Sequence, residues 1–188
     1  MAGRLTGMTI AILATDGFEQ SELLKPREAL AHAGADTVVI SPKDGEIRGW
    51  NMKDWGDSVA VDQTLAEANA DRFDALLLPG GVISPDHLRM DPAAVAFVKA
   101  FFDADKPVAA ICHGPWTVIN AGGAKGRRMT SWPSLQMDLR NAGADWVDEE
   151  TVTDGNLLTS RKPDDIPAFN MAMITLFTEK GAIAHQAM

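Results

Sequence analysis

The only cysteine of the 188-residue chain, Cys112, lies where a catalytic nucleophile would be expected. Four small or apolar residues, 108–111, precede it, and His113-Gly114-Pro115 follows. A buried strand that ends here and turns sharply into a helix would place the thiol in front of the N–H groups of that helix. The positive end of a helix favours the thiolate, which is the reactive form of cysteine. This pattern therefore predicts a cysteine nucleophile.

The alternative is that Cys112 is only a small buried hydrophobic residue, as free cysteines often are. The pattern Ala110-x-Cys112-x-Gly114 is similar to the G-x-S-x-G nucleophile elbow, in which small residues let a strand and a helix approach closely. Backbone N–H groups in such a turn can also stabilise an oxyanion. These features favour the functional interpretation of the thiol.

Three side chains are candidates to act on this thiol. His113 could serve as a base, but it needs an orienting carboxylate, and neighbouring side chains in a sharp turn can diverge. Glu19 and Glu22 follow the first predicted strand and are three residues apart, so we expect them to share a helix face. Because the carboxyl ends of parallel strands meet at one edge of the sheet, both acids should lie near Cys112. The simpler alternative for them is compensation of the helix dipole.

Gly80 and Gly81 follow another predicted buried strand and could leave backbone N–H groups open to a ligand oxyanion, or could form only a turn. No G-x-G-x-x-G sequence follows a strand, and there is no P-loop. Histidine and cysteine are too sparse and scattered for a zinc site. We therefore expect neither a cofactor nor a metal.

Composition favours a single globular domain over residues 1–188, with 46% hydrophobic and 23% charged residues. A net charge of −9, from 17 basic and 26 acidic residues, disfavours nucleic acid as a main partner and also anionic membranes. No apolar run reaches the roughly 18 to 20 residues that span a bilayer. The start of the sequence does not resemble a signal peptide, and a single cysteine cannot form an internal disulfide, so we expect a cytoplasmic protein.

Apolar runs alternate with helical segments, which predicts an α/β fold with a parallel sheet. The predicted strands of the sheet are residues 8–14, 37–41, 73–78 and 107–111. The predicted helices are residues 19–33, 65–70, 92–104, about 115–121, 133–141 and 166–180, with a turn or short helix at 85–90.

Other segments predict smaller features. Residues 42–57 contain three glycines and two tryptophans and indicate a β excursion, from which residues 59–61 should return to the main body. Asp154-Gly155 between two strand-like runs predicts a hairpin. Asp164 is expected to cap the last helix.

Several motifs, in the same order along nearly the whole chain, resemble those of the ThiJ/PfpI family in the class I glutamine-amidotransferase-like superfamily. The branch that they resemble most is that of general-stress and intracellular-protease-like proteins, also described as protein deglycases. The motifs are Asp16-Gly17-Phe18-Glu19-Gln20-Ser21-Glu22, Leu78-Pro79-Gly80-Gly81, Ser84-Pro85-Asp86-His87-Leu88-Arg89, Ala110-Ile111-Cys112-His113-Gly114-Pro115, Thr130-Ser131-Trp132-Pro133, Asp154-Gly155-Asn156 and Thr159-Ser160-Arg161.

The resemblance implies a flavodoxin-like three-layer α/β sandwich with a mostly parallel central sheet and a cysteine in a nucleophile elbow. It also implies that Glu22 contacts the thiol and that Glu19 is a second acid near the pocket. The acidic partner of His113 would come from a neighbouring subunit, from the position that matches Asp86, where many relatives have Glu. A homodimer or a larger homo-oligomer is therefore implied as the competent unit.

The function implied by the resemblance is that of a cysteine-dependent hydrolase, a deglycase acting on glyoxal and methylglyoxal adducts of proteins, with glyoxalase-like activity as a close variant. Cys112 would attack the carbonyl-derived carbon, His113 and Glu22 would move protons, and Gly80 and Gly81 would hold the oxyanion. Two alternatives stay open: an intracellular cysteine peptidase, and a redox-sensing stress protein that is not an enzyme and acts through Cys112.

Overall fold

The computed structural model describes the backbone of residues 3–186 and the side chains of residues 3–181. In chain order the strands are β1 (Thr9–Leu13), β2 (Phe18–Glu19), β3 (Asp36–Ser41), β4 (Glu46–Asn51), β5 (Asp54–Ala60), β6 (Gln63–Thr64), β7 (Ala75–Leu78), β8 (Val108–Ile111), β9 (Arg128–Met129), β10 (Asp145–Trp146), β11 (Thr151–Asp154) and β12 (Leu157–Ser160). The α-helices are α1 (Gln20–His32), α2 (Ile83–Met90), α3 (Pro92–Asp103), α4 (Pro115–Asn120), α5 (Gln136–Asn141) and α6 (Ile166–Gln186).

Seven strands form the central sheet, in the order β11-β12-β8-β7-β1-β3-β6. Each neighbouring pair is parallel except β11 and β12, which form the antiparallel hairpin that Asp154-Gly155 predicts. Helices cover both faces, as parallel sheets require. The prediction of a flavodoxin-like α/β fold with a mostly parallel sheet is confirmed.

Strand β1 shows how the two faces of the sheet divide the core. Ile10 and Ile12 point to one face, where they join a buried cluster that includes Phe169 of α6. Ala11 and Leu13 point to the other face, where they belong to the cluster containing the aromatic residues of α3. Because successive side chains of a strand alternate between faces, burial on both sides makes the strand a continuous apolar run. This arrangement makes the molecule three-layered.

One predicted helix differs from the structure. Residues 65–70 form no α-helix; residues 65–67 form a turn, and a 3-10 helix follows at Ala70–Arg72. The Asn69 side chain accepts a hydrogen bond from the backbone N–H of Asp71, a local bond that competes with α-helix formation.

The return from the β excursion agrees with the prediction, because Val59 is buried in the core cluster of the main body and Val61 packs against that cluster. Residues 59–61 do not join the central sheet, because β5 stays in a separate three-stranded sheet with β4 and β2. The chain returns to the central sheet at β6, beside β3. The Asp62 carboxylate, which accepts a hydrogen bond from Val39 N–H at 2.8 Å, fixes this later return.

The predicted cap of the last helix is wrong. Asp164 lies inside a 3-10 helix, Pro163–Asp165, and its side chain is exposed. α6 begins only at Ile166. The neighbouring Asp165 is buried and pairs with Arg161 at 2.8 Å, so the buried ion pair rather than a cap fixes this turn. In the described part of the chain, none of the helices combines the length and the apolar character needed to cross a bilayer.

We expect Phe169→Ala to lower the free energy of unfolding by about 3–5 kcal/mol, because it leaves a cavity in the core between α6 and the sheet. Phe169 is fully buried. The matched control is Met171→Ala on the same helix, whose side chain is 68% exposed and whose loss should cost less than about 0.5 kcal/mol. Urea unfolding measures both, and equal midpoints for the two variants would contradict the packing described.

Candidate active site

Cys112 adopts a left-handed backbone conformation, with φ of 63°, directly after β8. A residue other than glycine is held in this region only when its surroundings fix it there. The Cys112 N–H donates to the carbonyl oxygen of Ser160 at 3.0 Å, and the Cys112 carbonyl accepts from the N–H of Trp132 at 2.9 Å. The strained turn is therefore tied to the end of β12 on one side and to the loop before α5 on the other.

Gly114 allows strand and helix to come as close as the elbow requires. A Cβ atom on this residue would lie 2.7 Å from the carbonyl oxygen of Leu78, at the end of β7. Real Cβ atoms essentially never approach backbone so closely, so a side chain here would push α4 away from the sheet. The structure thus shows the small-residue requirement that the sequence pattern indicates.

The thiol is buried beside the imidazole of the next residue. Cys112 is only 6% exposed, and its Sγ lies 3.1 Å from Nδ1 of His113. Burial lowers the pKa of His113 to about 4, so the imidazole is neutral at pH 7. A neutral imidazole in contact with a thiol can accept the thiol proton. The neighbouring side chains do not diverge here.

Glu22 lies on the first turn of α1 and is fully buried. Its Oε2 accepts a hydrogen bond from the N–H of Gly80 at 2.9 Å, and its buried Oε1 makes no hydrogen bond. Burial raises the pKa of Glu22 to about 8, the negative charge of Glu19 adds to the rise, and the hydrogen bond from Gly80 opposes it. The carboxyl group is therefore mostly protonated at pH 7.

Gly80 lies between the Glu22 carboxyl group and the Cys112 side chain. Because Gly80 has no side chain of its own, these two groups can approach each other. A Cβ atom there would lie 2.5 Å from Cβ of Cys112 and would overlap Oε2 of Glu22. Contrary to expectation, the Gly80 N–H does not face a ligand, because Glu22 accepts it. The N–H groups that face the sulfur belong to Gly81 and His113, and both lower the pKa of the thiol.

The thiol and the acid titrate as a coupled pair. Burial raises the pKa of Cys112, and the charge of Glu22 raises it further, because two negative charges in one small pocket repel each other. A proton on Glu22 removes this repulsion, so the protonation of the acid decides how easily the thiolate forms.

We expected Glu19 and Glu22 to share a helix face, but in the structure they do not. It ends β2 and lies just before α1, where its N–H donates to the carbonyl of Gly80 at 3.0 Å. Its carboxylate accepts a hydrogen bond from Ser21 Oγ at 3.1 Å. Glu19 still belongs to the site, because its charge acts on the pKa of Glu22.

Asp86 is exposed on α2 and forms no hydrogen bond with His113. Among the side chains of residues 3–181, no acid forms a hydrogen bond or ion pair with that histidine. In the same range, no group of three or more His, Cys, Asp and Glu residues is arranged to hold a metal ion. The structure therefore brings together six of the seven predicted site residues and leaves Asp86 at the surface.

Sequence reasoning missed the aromatic surroundings of His113. The ring of Trp116 meets the imidazole edge-on, with centroids 5.0 Å apart, and the ring of Trp132 stacks on it, with centroids 6.0 Å apart and planes at 24°. Trp132 falls within one of the motifs quoted above, but nothing in its position along the chain indicates this contact.

The sequence model of the DJ-1/PfpI family matches residues 8–176. The chain belongs to the DJ-1/PfpI family. Its described fold and the cysteine turn between β8 and α4 agree with this membership, and the resemblance inferred from the motifs is confirmed.

Three DJ-1/PfpI relatives illustrate the similarity. General stress protein 18 of Bacillus subtilis is 46% identical over 90% of this chain and 98% of its own length. Protein/nucleic acid deglycase 2 of Escherichia coli is 43% identical over 89% of this chain and 96% of its own. A crystal structure from Anabaena variabilis, of a protein with DJ-1/ThiJ/PfpI-like and ferritin-like domains, superposes with a TM-score of 0.84 at 37% identity. It covers 89% of this chain, which spans about half (47%) of that two-domain protein.

We expect Glu22→Gln to change how stability depends on pH. The pKa of Glu22 is about 8 in the folded protein, against an ordinary value of 4.5. Between these values the folded state keeps a proton that the unfolded state releases, so the free energy of unfolding falls as pH rises. Glutamine has no such proton. The variant should therefore gain stability relative to wild type from about pH 5 to pH 8, by up to about 4 kcal/mol.

Urea unfolding at several pH values measures this difference. Glu28→Gln is the matched control, because Glu28 is exposed on the same helix. A stability difference between Glu22→Gln and wild type that stays constant across this pH range would show that the acid is already ionised in the folded protein.

Proposed function

We propose that this protein is a cytoplasmic stress-response hydrolase that uses Cys112 to remove glyoxal and methylglyoxal adducts from proteins. The observation that carries the proposal is the elbow geometry, which holds the Cys112 sulfur 3.1 Å from a neutral His113 and beside a protonated Glu22. The names of the stress-protein and deglycase relatives support the same activity. The lone free cysteine fits a reducing compartment.

The first step would be proton transfer from the thiol to Nδ1 of His113, followed by attack of the thiolate on the carbinol carbon of the adduct. As the new carbon–sulfur bond forms, the carbon–nitrogen bond breaks, and the protein amine leaves with the proton from His113. The aldehyde carbon is then held on Cys112 as a hemithioacetal. Gly81 N–H and His113 N–H, which face the sulfur, would donate hydrogen bonds to the oxygen of this intermediate.

The second step would convert the hemithioacetal to a thioester without an external oxidant. The imidazole takes the C–H proton and returns it to the neighbouring carbonyl carbon, so one carbon is oxidised and the other is reduced. The protonated Glu22 carboxyl can donate its proton to the oxygen that gains electron density and take up the hydroxyl proton that the hemithioacetal loses, so the acid ends the step protonated again. Water then hydrolyses the thioester, which releases a hydroxy acid and restores the thiol. Free dicarbonyl would follow the same course, which accounts for glyoxalase-like activity.

We expect Cys112→Ala to hydrolyse preformed protein adducts no faster than the uncatalysed reaction, because the variant lacks the nucleophile. Adducts freed of excess aldehyde would be incubated with each protein, and both amine recovery and hydroxy acid formation would be measured. A trap for free aldehyde in every sample separates catalysis from spontaneous reversal. Equal rates for wild type and Cys112→Ala would overturn the proposal.

Two other outcomes would favour the alternative functions. Cleavage of an unfolded protein by wild type, lost in Cys112→Ser, would indicate a peptidase. Absence of any turnover, together with conversion of Cys112 to the sulfinate by mild peroxide, would indicate a redox sensor.

We further propose that the competent unit is a homodimer or larger homo-oligomer, in which Asp86 of a second copy reaches His113. Two observations support this: Asp86 is exposed, and no acid in the described part of the same chain pairs with His113. An acid at the second ring nitrogen would orient the imidazole and stabilise it once it is protonated. This is the role that the orienting acid has in other nucleophile–histidine pairs.

Mixing two inactive variants tests this arrangement. Asp86→Asn and Cys112→Ala should each be inactive alone, and a refolded equimolar mixture should regain about a quarter of the wild-type activity, because half of the dimers then hold one complete site. No recovery on mixing, or full activity of Asp86→Asn alone, would show that Asp86 does not complete the neighbouring site.

A further inference from the structure

The imidazole of His113 is held in place by aromatic rings within its own chain. Its one side-chain hydrogen-bond contact in the described structure is the Cys112 sulfur, 3.1 Å from Nδ1. The stacked ring of Trp132 covers one face of the imidazole, and the ring of Trp116 meets it edge-on. Both geometries fall within the range of favourable aromatic contacts. Because His113 follows Cys112 directly, such a contact is needed to turn Nδ1 onto the sulfur.

The backbone of Trp132 is hydrogen-bonded to the Cys112 elbow and to the residue before it. Its backbone N–H donates to the carbonyl of Cys112 at 2.9 Å, and its own carbonyl accepts from Ser131 Oγ at 2.9 Å. Ser131 Oγ in turn accepts from the indole N–H of Trp146 at 2.9 Å. A 3-10 helix begins at Pro133, immediately afterwards. These bonds fix the backbone that carries the Trp132 indole relative to the Cys112 elbow.

The charged groups near this aromatic cluster act on Trp116 rather than on the imidazole. The indole N–H of Trp116 donates to the Asp138 carboxylate at 2.9 Å, and the guanidinium of Arg89 lies 5.1 Å from the centre of its ring. These contacts fix the second indole. In the described side chains, Cys112 is the titratable group in direct contact with the imidazole of His113.

We propose that Trp132 is a positioning residue, whose ring sets the plane of His113 so that Nδ1 faces the Cys112 sulfur. When the thiol proton moves to Nδ1, the products are a thiolate and an imidazolium ion, so the transfer requires that Nδ1 already faces the sulfur. The inference rests on the proposed function in one respect, namely that Cys112 and His113 react as a pair. An acid from a second copy would act at the other ring nitrogen and would not replace the stacking.

The test compares Trp132→Phe, which keeps an aromatic face, with Trp132→Ala, which removes it. The first readout is the rate of Cys112 alkylation by iodoacetamide as a function of pH, which needs no substrate. The second is the pKa of His113 measured by NMR. Trp55→Ala is the matched control, because Trp55 is an equally exposed tryptophan on β5, 41% against 38% for Trp132.

In Trp132→Ala, the pKa of His113 should rise from about 4 towards its ordinary value of 6.5, because burial is what lowers it. Alkylation at pH 7 should fall about tenfold, since the ring no longer holds Nδ1 on the sulfur. Trp132→Phe should stay within about twofold of wild type in rate. Should Trp132→Ala not fold, Trp132→Leu removes the aromatic face with less loss of volume.

An unchanged alkylation profile and His113 pKa in folded Trp132→Ala or Trp132→Leu would overturn the proposal. So would a Trp132→Phe variant that is as impaired as Trp132→Ala. Adduct hydrolysis is measured separately: if wild type does not hydrolyse adducts but the alkylation results are as expected, the proposed function fails and the role of Trp132 stands.

Discussion

The backbone of Cys112 is held in the left-handed region by contacts from three other parts of the fold. The carbonyl of Ser160, at the end of β12, accepts a hydrogen bond from Cys112 N–H, and Trp132 N–H donates one to the Cys112 carbonyl. The close approach of Gly114 to Leu78 fixes the start of α4. The free-energy cost of this strained conformation is offset by the packing of the sheet rather than by contacts within the turn. Everything that acts on the sulfur depends on this constraint, because it determines where the thiol points.

The same constraint explains why an acid with a raised pKa belongs beside the thiol. The elbow places Cys112 against Gly80, and α1 places Glu22 against the same residue. Burial keeps a proton on the acid at pH 7, so Glu22 itself carries no negative charge before the thiol ionises. A group that would oppose the thiolate when charged can instead donate a hydrogen bond to it. His113, buried and neutral, places Nδ1 3.1 Å from the same sulfur.

Much of the fold could be predicted from the sequence, because strands buried on both faces are continuous apolar runs whatever their neighbours are. The errors lie where local interactions decide, as at Asn69, whose side chain favours a 3-10 turn, and at Asp165, whose ion pair with Arg161 fixes the turn before the last helix. Cys112 and Glu22 could be found from their motifs. The hydrogen bond that removes Gly80 N–H from any ligand, and the stacking of Trp132 on His113, depend on tertiary distances that no spacing encodes.

The hydrogen bond from Cys112 N–H to the carbonyl of Ser160 has a consequence for the order of events during synthesis of the chain. Contacts between residues far apart in sequence form only after both have emerged and the loop between them has closed. A nascent chain that ends before β12 therefore carries an ordinary, unconstrained cysteine. The left-handed elbow at Cys112 therefore forms only in molecules whose central sheet is nearly complete.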